Sequence, residues 1–531
     1  MFKFVRMPET QSLPLRPNRD TTDRMAKENT GNSRTVQASW LTLAGFMSLS
    51  VGIITAAILS RFMTKSEYGT YRQVIYIYST LLIIFSLGLP KAYSYFLARI
   101  PRDEGLDMVK KISMLFIGMA AVFSAVLLFG ADTIAGLLGN PLLAENLRYF
   151  AVTPILLMPV MGVENVLTVY KMSRVVAVYA TVSRLFMIIC TVLPVVMIKA
   201  DATHAVIGFV VSSVITCISG YILIRLPFRN TVQRKTKTGL KEIIRFSKPV
   251  FTTTVYGFVI SSTSLFFVGR YFGAEEFAMF ANGYKELPFA GMIISAATAV
   301  LLPEFSKMQK TGAMNREFIS LWKSVVYKSL SVICPLSLFC CVFAKDIICT
   351  IYGTEYSDAS VLFQIITMIN LTYVMPYNTI MLALDRGKEL ARAYMLAAAL
   401  IVGLNIMSVS LSFHSIALIA VIHTSCILLC RAMLMAVISR SLNTTVAKLV
   451  PWKKSIRILT ASAAACLIAV FTRYLLGNMH GIAGLTTGFC IFIMTYCFIA
   501  GMAKIDYKEI FRPIISRIGI YKNNISDAGY A

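Results

Sequence analysis

The sequence predicts an all-α polytopic membrane protein of about 14 transmembrane helices, two six-helix bundles in a parallel repeat plus two C-terminal helices. Three observations predict it. Apolar residues make up 57% of the 531 and charged ones only 15%, with a mean hydropathy of +0.70, where soluble domains run near a quarter charged. The apolar residues fall in blocks long enough for a hydrocarbon core of about 30 Å, which takes roughly 20 residues of helix. An arginine–glutamate–aromatic pattern also recurs at the same topological place in each half.

Along the chain, residues 1–36 are polar and unperiodic, a cytoplasmic tail that reads as disordered and carries no signal-peptide pattern. Spans are expected near 37–60, 74–97, 112–131, 149–170, 175–198 and 205–224, giving a first bundle over 37–226. A basic linker, 227–248, follows. Spans near 249–269, 287–303, 324–344, 359–384, 393–413 and 415–439 make a second bundle over 249–440. The region 441–503 holds two more, near 458–472 and 481–503, and 504–531 is a second cytoplasmic tail.

Charge placement tests the count independently. With both termini inside, 38 of the 51 Lys and Arg fall on the inward tails and loops, 9 on the outward loops and four within spans. That alternation is the positive-inside pattern, and it accounts for a formal net charge of +25 without a nucleic-acid partner. The longest outward gaps, 132–148 and 270–286, read as loops too short for a soluble domain.

The chemistry inventory excludes much. The four histidines are scattered, no phosphate-binding glycine loop is present, and neither Cys340–Cys341 nor Cys426/Cys430 has zinc-ligand spacing. No metal, cofactor or catalytic residue is expected.

The repeat is explicit. Arg61-Phe-Met-Thr-Lys-Ser-Glu-Tyr-Gly-Thr-Tyr71 matches Arg270-Tyr-Phe-Gly-Ala-Glu-Glu-Phe-Ala-Met-Phe280 at a shift of 209. Met158-Pro159 echoes Met375-Pro376 at 217, and Gly88-Leu-Pro90 weakly echoes Leu301-Leu-Pro303. Six spans between copies leave both halves the same way up, a plan in which the substrate site lies between bundles.

The segment Ser60–Tyr71 followed by Gly88-Leu-Pro-Lys91 resembles the polysaccharide-transport or O-antigen flippase (Wzx-like) family of the multidrug/oligosaccharidyl-lipid/polysaccharide exporter superfamily. The resemblance implies a cargo of oligosaccharide on undecaprenyl diphosphate. It would be moved from the inner to the outer leaflet of a bacterial inner membrane for O-antigen, capsule or exopolysaccharide assembly. It also implies membrane lipids, polysaccharide polymerase and glycosyltransferases as partners.

A charge at mid-membrane costs at least about 2.5–3.5 kcal/mol, so each one calls for a reason. Arg184 lies ten residues into its span and is the leading candidate for a cavity ligand of a diphosphate. Arg431 is less deep, while Lys91 and Lys328 lie within about two turns of an end, where snorkelling is open to them. Glu164 is the one acid well inside a span, a candidate counter-charge to Arg184 or Lys91 or a coupling site for an ion. Arg61 and Arg270 stand at equivalent outward ends, either receiving the diphosphate or anchoring at the interface. Pro90, Pro154, Pro159 and Pro376 are expected to kink spans, and Tyr68, Tyr71, Tyr93 and Tyr95 either stack on sugars or sit in an interfacial belt. A drug/cation antiporter would carry an acid in span 1, which this chain lacks. A membrane glycan polymerase or ligase would carry a large outward loop, and a peptidoglycan-precursor flippase shares the same plan.

Overall fold

The computed structural model describes residues 34–287, 289–294, 315–372, 374–412, 415–476, 481–503 and 505. Among these there is helix and no strand. Ten helical segments are long and apolar enough to cross a membrane, eleven with one bent pair. Of the remaining expected spans, 249–269 falls inside one long helix, 359–384 falls on two short ones, and 287–303 lies mostly outside the described residues. The two terminal tails and the Leu301-Leu-Pro303 echo lie outside them as well.

In the first half, α1 (Arg34–Phe62) leads at once into α2 (Lys65–Phe85). Thr64 caps α2 by accepting the Glu67 N–H, while the Glu67 carboxylate accepts the Ala202 N–H at 2.7 Å. A break at Leu87 and Gly88, both with positive φ, precedes Pro90 at the start of α3 (Pro90–Leu97), and α2 and α3 bend by 40° there. Then come α4 (Arg102–Phe129), α5 (Ala131–Leu137), α6 (Leu142–Phe150), α7 (Thr153–Leu157), α8 (Val163–Val169), α9 (Ser173–Met197) and α10 (Ala202–Leu223). The expected span 149–170 is thus a run of short helices, interrupted where Pro154 and Pro159 fall.

The second half repeats the order: α11 (Leu240–Tyr271), α12 (Gly273–Gly283), helical residues 289–294, α13 (Asn315–Val342), α14 (Ala344–Tyr352), α15 (Ala359–Asn370), α16 (Tyr377–Ala383), α17 (Gly387–Ser410) and α18 (Ile416–Ser441). After α19 (Val446–Leu449), α20 (Trp452–Leu475) and α21 (Gly481–Met502) pack on each other and on α13. Two polar contacts fasten this region. The buried Trp322 indole donates to the Leu449 carbonyl at 3.0 Å, and Arg473 clasps Asp346 with both nitrogens, at 2.5 and 2.8 Å.

Two sequence expectations are corrected. The gaps 132–148 and 270–286 are largely helical, not loops, because short amphipathic turns bury Leu143, Leu147 and Phe150 in one and Phe277, Ala278 and Phe280 in the other. The span expected at 287–303 is therefore preceded by the α12 helix from Gly273, and the span expected at 74–97 starts at Lys65. Hydropathy windows missed both starts because their first turns are polar.

Lipid-facing surfaces are plain. On α9, Val178, Val182, Leu185, Ile189, Leu193 and Val196 are exposed at helical spacing, a stripe of apolar side chains on the outside of the molecule. At one end of the structure, the linker lies along α4: the Asp107 carboxylate accepts the Thr236 N–H at 3.0 Å, and Lys111 donates to the Thr236 and Thr238 carbonyls. This is the linker face; the ends of α1 and α11 mark the far face.

Candidate functional site

The two halves meet along α2, α11 and α12. At Gly69 the backbones of α2 and α12 come so close that a Cβ would stand 1.9 Å from the Ala274 carbonyl oxygen. Along this seam Tyr68 donates to Asn282 Oδ1 at 2.8 Å and meets Tyr356 edge-on, Arg72 donates to the Ala281 carbonyl at 3.2 Å, and Tyr76 donates to the Ser262 carbonyl. The charge of Arg72 also acts on Lys285, just past α12. Arg72 and Lys285 were assigned to outward loops from the sequence. The Thr64-x-x-Glu67 capping pattern marks the true start of α2 and could have placed Arg72 inside it. Lys285 stands two residues beyond Gly283, the end of α12.

Arg184 occupies a distinctive place. On α9 the buried face carries Ser173, Ala177, Ala180, Thr191 and Val195, and Arg184 falls on that line, four residues after Ala180 and seven before Thr191. It points away from the lipid-facing stripe, yet it is exposed. It lies about 16 Å from the start of α9. Its charge and that of Glu164 both act on the Tyr179 hydroxyl, and its charge also acts on Tyr78 of α2. Glu164 and Lys91 are exposed, and their helices α8 and α3 are joined by Ser94 donating to Asn165 Oδ1 at 3.1 Å. Among the described residues no ion pair joins Glu164 to Arg184 or Lys91. Glu286 follows Lys285 in the non-helical stretch past α12.

Other expected residues are engaged with the protein. Arg431 donates to the Ile369 carbonyl at 2.7 Å and to the Thr372 hydroxyl, holding the interruption between α15 and α16, where Pro376 stands. Arg270 donates to the Gly136 carbonyl at 2.9 Å and Arg61 to the Thr350 carbonyl. Tyr68, Tyr71 and Tyr93 are buried, and Tyr95 stacks on Phe246 at a centroid distance of 4.1 Å, so none offers a free face to a sugar in this arrangement. Nothing in the sequence pointed to the knot at His423, whose Nδ1 meets Ser264 Oγ at 2.9 Å beside Tyr284, itself bonded to Thr424. Among the described residues no cluster of His, Cys, Asp or Glu could hold a metal ion.

A family model described as "Polysaccharide biosynthesis protein" matches residues 58–361. The succinoglycan biosynthesis transport protein ExoT of Rhizobium meliloti (strain 1021) is 23% identical over 344 residues, 62% of this chain, and the match spans 65% of that relative's length. Among solved structures, the lipid II flippase MurJ in an inward closed conformation superimposes with a TM-score of 0.67 over 89% of this chain and 99% of that one, at 15% identity. A mutant of the Vibrio cholerae MATE transporter VcmN has a TM-score of 0.44 at 14% identity, over 90% of this chain and 99% of that one. The fold is that of the lipid II flippase MurJ structure.

Proposed function

The chain belongs to the polysaccharide biosynthesis protein family whose model matches residues 58–361, and from that premise we propose that it is a flippase for an oligosaccharide linked to undecaprenyl diphosphate. The cargo moves from inner to outer leaflet by alternating access. The protein acts as a carrier, not an enzyme, and its relative ExoT is likewise described as a transport protein. The observation that carries the cargo assignment is Arg184, a cation at mid-depth exposed on the inner side of α9 rather than its lipid side.

A diphosphate presents several acceptor oxygens to the rigid fork of a guanidinium. Arg184, Lys91 and Arg72 meet it from the first bundle, with Lys285 across the seam. Glu164 serves as their counter-charge. Arg431 keeps the α15–α16 interruption in shape beside the path, and Arg61 and Arg270 become available to the diphosphate once the far face opens. The linker face is cytoplasmic, with both termini on that side of a bacterial inner membrane. Polymerase and glycosyltransferases work next to it.

The test is deletion in the native host, with undecaprenyl diphosphate-linked glycans profiled in each leaflet. A complete oligosaccharide should accumulate on the inner leaflet while surface polymer is lost. Complementation with Arg184→Gln should restore about a tenth of the polymer or less, the effect of removing a charge-assisted contact. Single repeat units collecting on the outer leaflet would instead identify a polymerase, accumulation of a peptidoglycan precursor would identify that cargo, and loss of cationic-dye efflux alone would identify a drug antiporter.

A further inference from the structure

At the far face two arginines reach across the seam in opposite directions. Arg61 ends α1 of the first half and donates to the carbonyl of Thr350, near the end of α14 in the second half. Arg270 ends α11 of the second half and donates to the carbonyl of Gly136, near the end of α5 in the first half. The donors are repeat equivalents, 209 residues apart. The acceptors are equivalents too, 214 apart, and the same shift relates Asp132 to Asp346 and Gly139 to Gly353. Those glycines follow within two residues of the acceptor helix ends, with φ of +62° and +102°. The same kind of contact is thus made twice, once in each direction.

The chemistry suits a latch. The last carbonyls of a helix lack intrahelical partners and carry partial negative charge, so a guanidinium is a strong donor to them. Neighbouring contacts reinforce each side. Ser60 donates to the Tyr352 carbonyl at 3.1 Å beside Arg61, and the backbone at Gly269 approaches the Leu138 side chain beside Arg270. Neither arginine is in an ion pair among the described residues, so separating the halves breaks hydrogen bonds to neutral carbonyls and leaves no buried carboxylate stranded.

We propose that Arg61 and Arg270 are a reciprocal pair of latches that hold the far face shut, and that both must let go before the site opens on that side. They act as positioning residues for the transport step. The inference rests on the alternating-access part of the reading above and not on the identity of the cargo. Two latches of equal construction let the halves part symmetrically, and the acceptor helices α5 and α14 move as caps on their own bundles.

The experiment uses full-length protein in right-side-out vesicles, with Ala281→Cys as reporter. Ala281 lies in the α2–α12 seam, where its carbonyl holds Arg72. Labelling by a membrane-impermeant maleimide added from the far face is compared with a parent that has only the native cysteines. Arg61→Gln and Arg270→Gln should each raise the labelling rate about tenfold, the scale of one hydrogen bond from a charged donor, and the double variant should exceed either. Arg61→Lys and Arg270→Lys, which keep a charged donor, should stay near the parent, separating a latch from a general loss of folding. An unchanged rate in the double variant would overturn the proposal, as would one arginine producing the whole effect. A double variant that labels normally yet no longer exports polymer would make the arginines cargo ligands and sink the latch. Raised labelling in a protein whose deletion strands no lipid-linked glycan would support the latch while removing the cargo assignment.

Discussion

At the scale of the residue, Gly69 decides how closely the halves can meet. Its missing Cβ is what lets α2 lie against the Ala274 carbonyl, a backbone atom that cannot swing aside. Gly69→Ala should therefore destabilise the purified protein by about 1–3 kcal/mol, the usual cost of overpacking, and the fall should appear as a lower thermal midpoint. A midpoint equal to that of the parent would mean that the seam is looser than these distances require. Arginines at this scale divide by what they touch. Arg431, Arg61 and Arg270 hold carbonyls, whereas Arg184 stands exposed on an otherwise buried helix face.

At the scale of the element, the linker is a clamped strap. Residues 229–239 carry Arg229, Arg234, Lys235 and Lys237 at the surface, while buried Thr236 is tied to Asp107 and Lys111 on α4. Partial burial would raise the Asp107 carboxyl, but hydrogen bonds from Lys111 and the Thr236 N–H, with the nearby lysine charges, outweigh it and hold the pKa below the ordinary value. A carboxyl whose folded pKa is depressed contributes stability above its unfolded value, near 3.9, and loses it as pH falls through the folded one. Exchange protection of the Thr236 amide should thus be flat above about pH 5 and fall below about pH 4. In Asp107→Asn that acid-dependent loss should be absent and protection lower throughout; an unaltered profile in the variant would assign the clamp to other groups. α14 is the other connecting element. Its first turn offers Asp346 to Arg473 of the appended pair, and its last turn offers Thr350 to Arg61, whereas the equivalent Asp132 pairs with Arg148 of its own bundle. The appended helices have taken over a contact that the first half makes for itself.

At the scale of the whole molecule, the largest buried apolar cluster runs from the first half across the seam to Tyr352 and Tyr356, so far-face closure is part of the core and not a loop placed over it. A carrier of net negative charge moving outward from a negative interior gains about 2.3 kcal/mol per charge per 100 mV. In proteoliposomes, an imposed inside-negative potential should accelerate translocation of a diphosphate-linked glycan without a proton or sodium gradient. Indifference to potential together with dependence on either ion gradient would shift the role of Glu164 from counter-charge to ion coupling.

The sequence by itself determined the class: apolar blocks of membrane length, alternating basic loops, the repeat, and Arg184, Lys91 and Glu164 as charges to be explained. These are legible because hydropathy, charge and periodicity are properties of short windows, and the bilayer imposes its thickness on each window separately. The helix starts at Lys65 and Gly273 were hidden because their first turns are polar, and Arg72 was thereby assigned to a loop. Only the tertiary structure decided that Arg61 and Arg270 reach the opposite half, that Tyr68 and Tyr93 are packed away, and that Arg184 faces inward rather than toward lipid. Those outcomes depend on partners far along the chain, such as Thr350 for Arg61, and the close approach of two backbones selects among them. No window of sequence contains both sides of that contact.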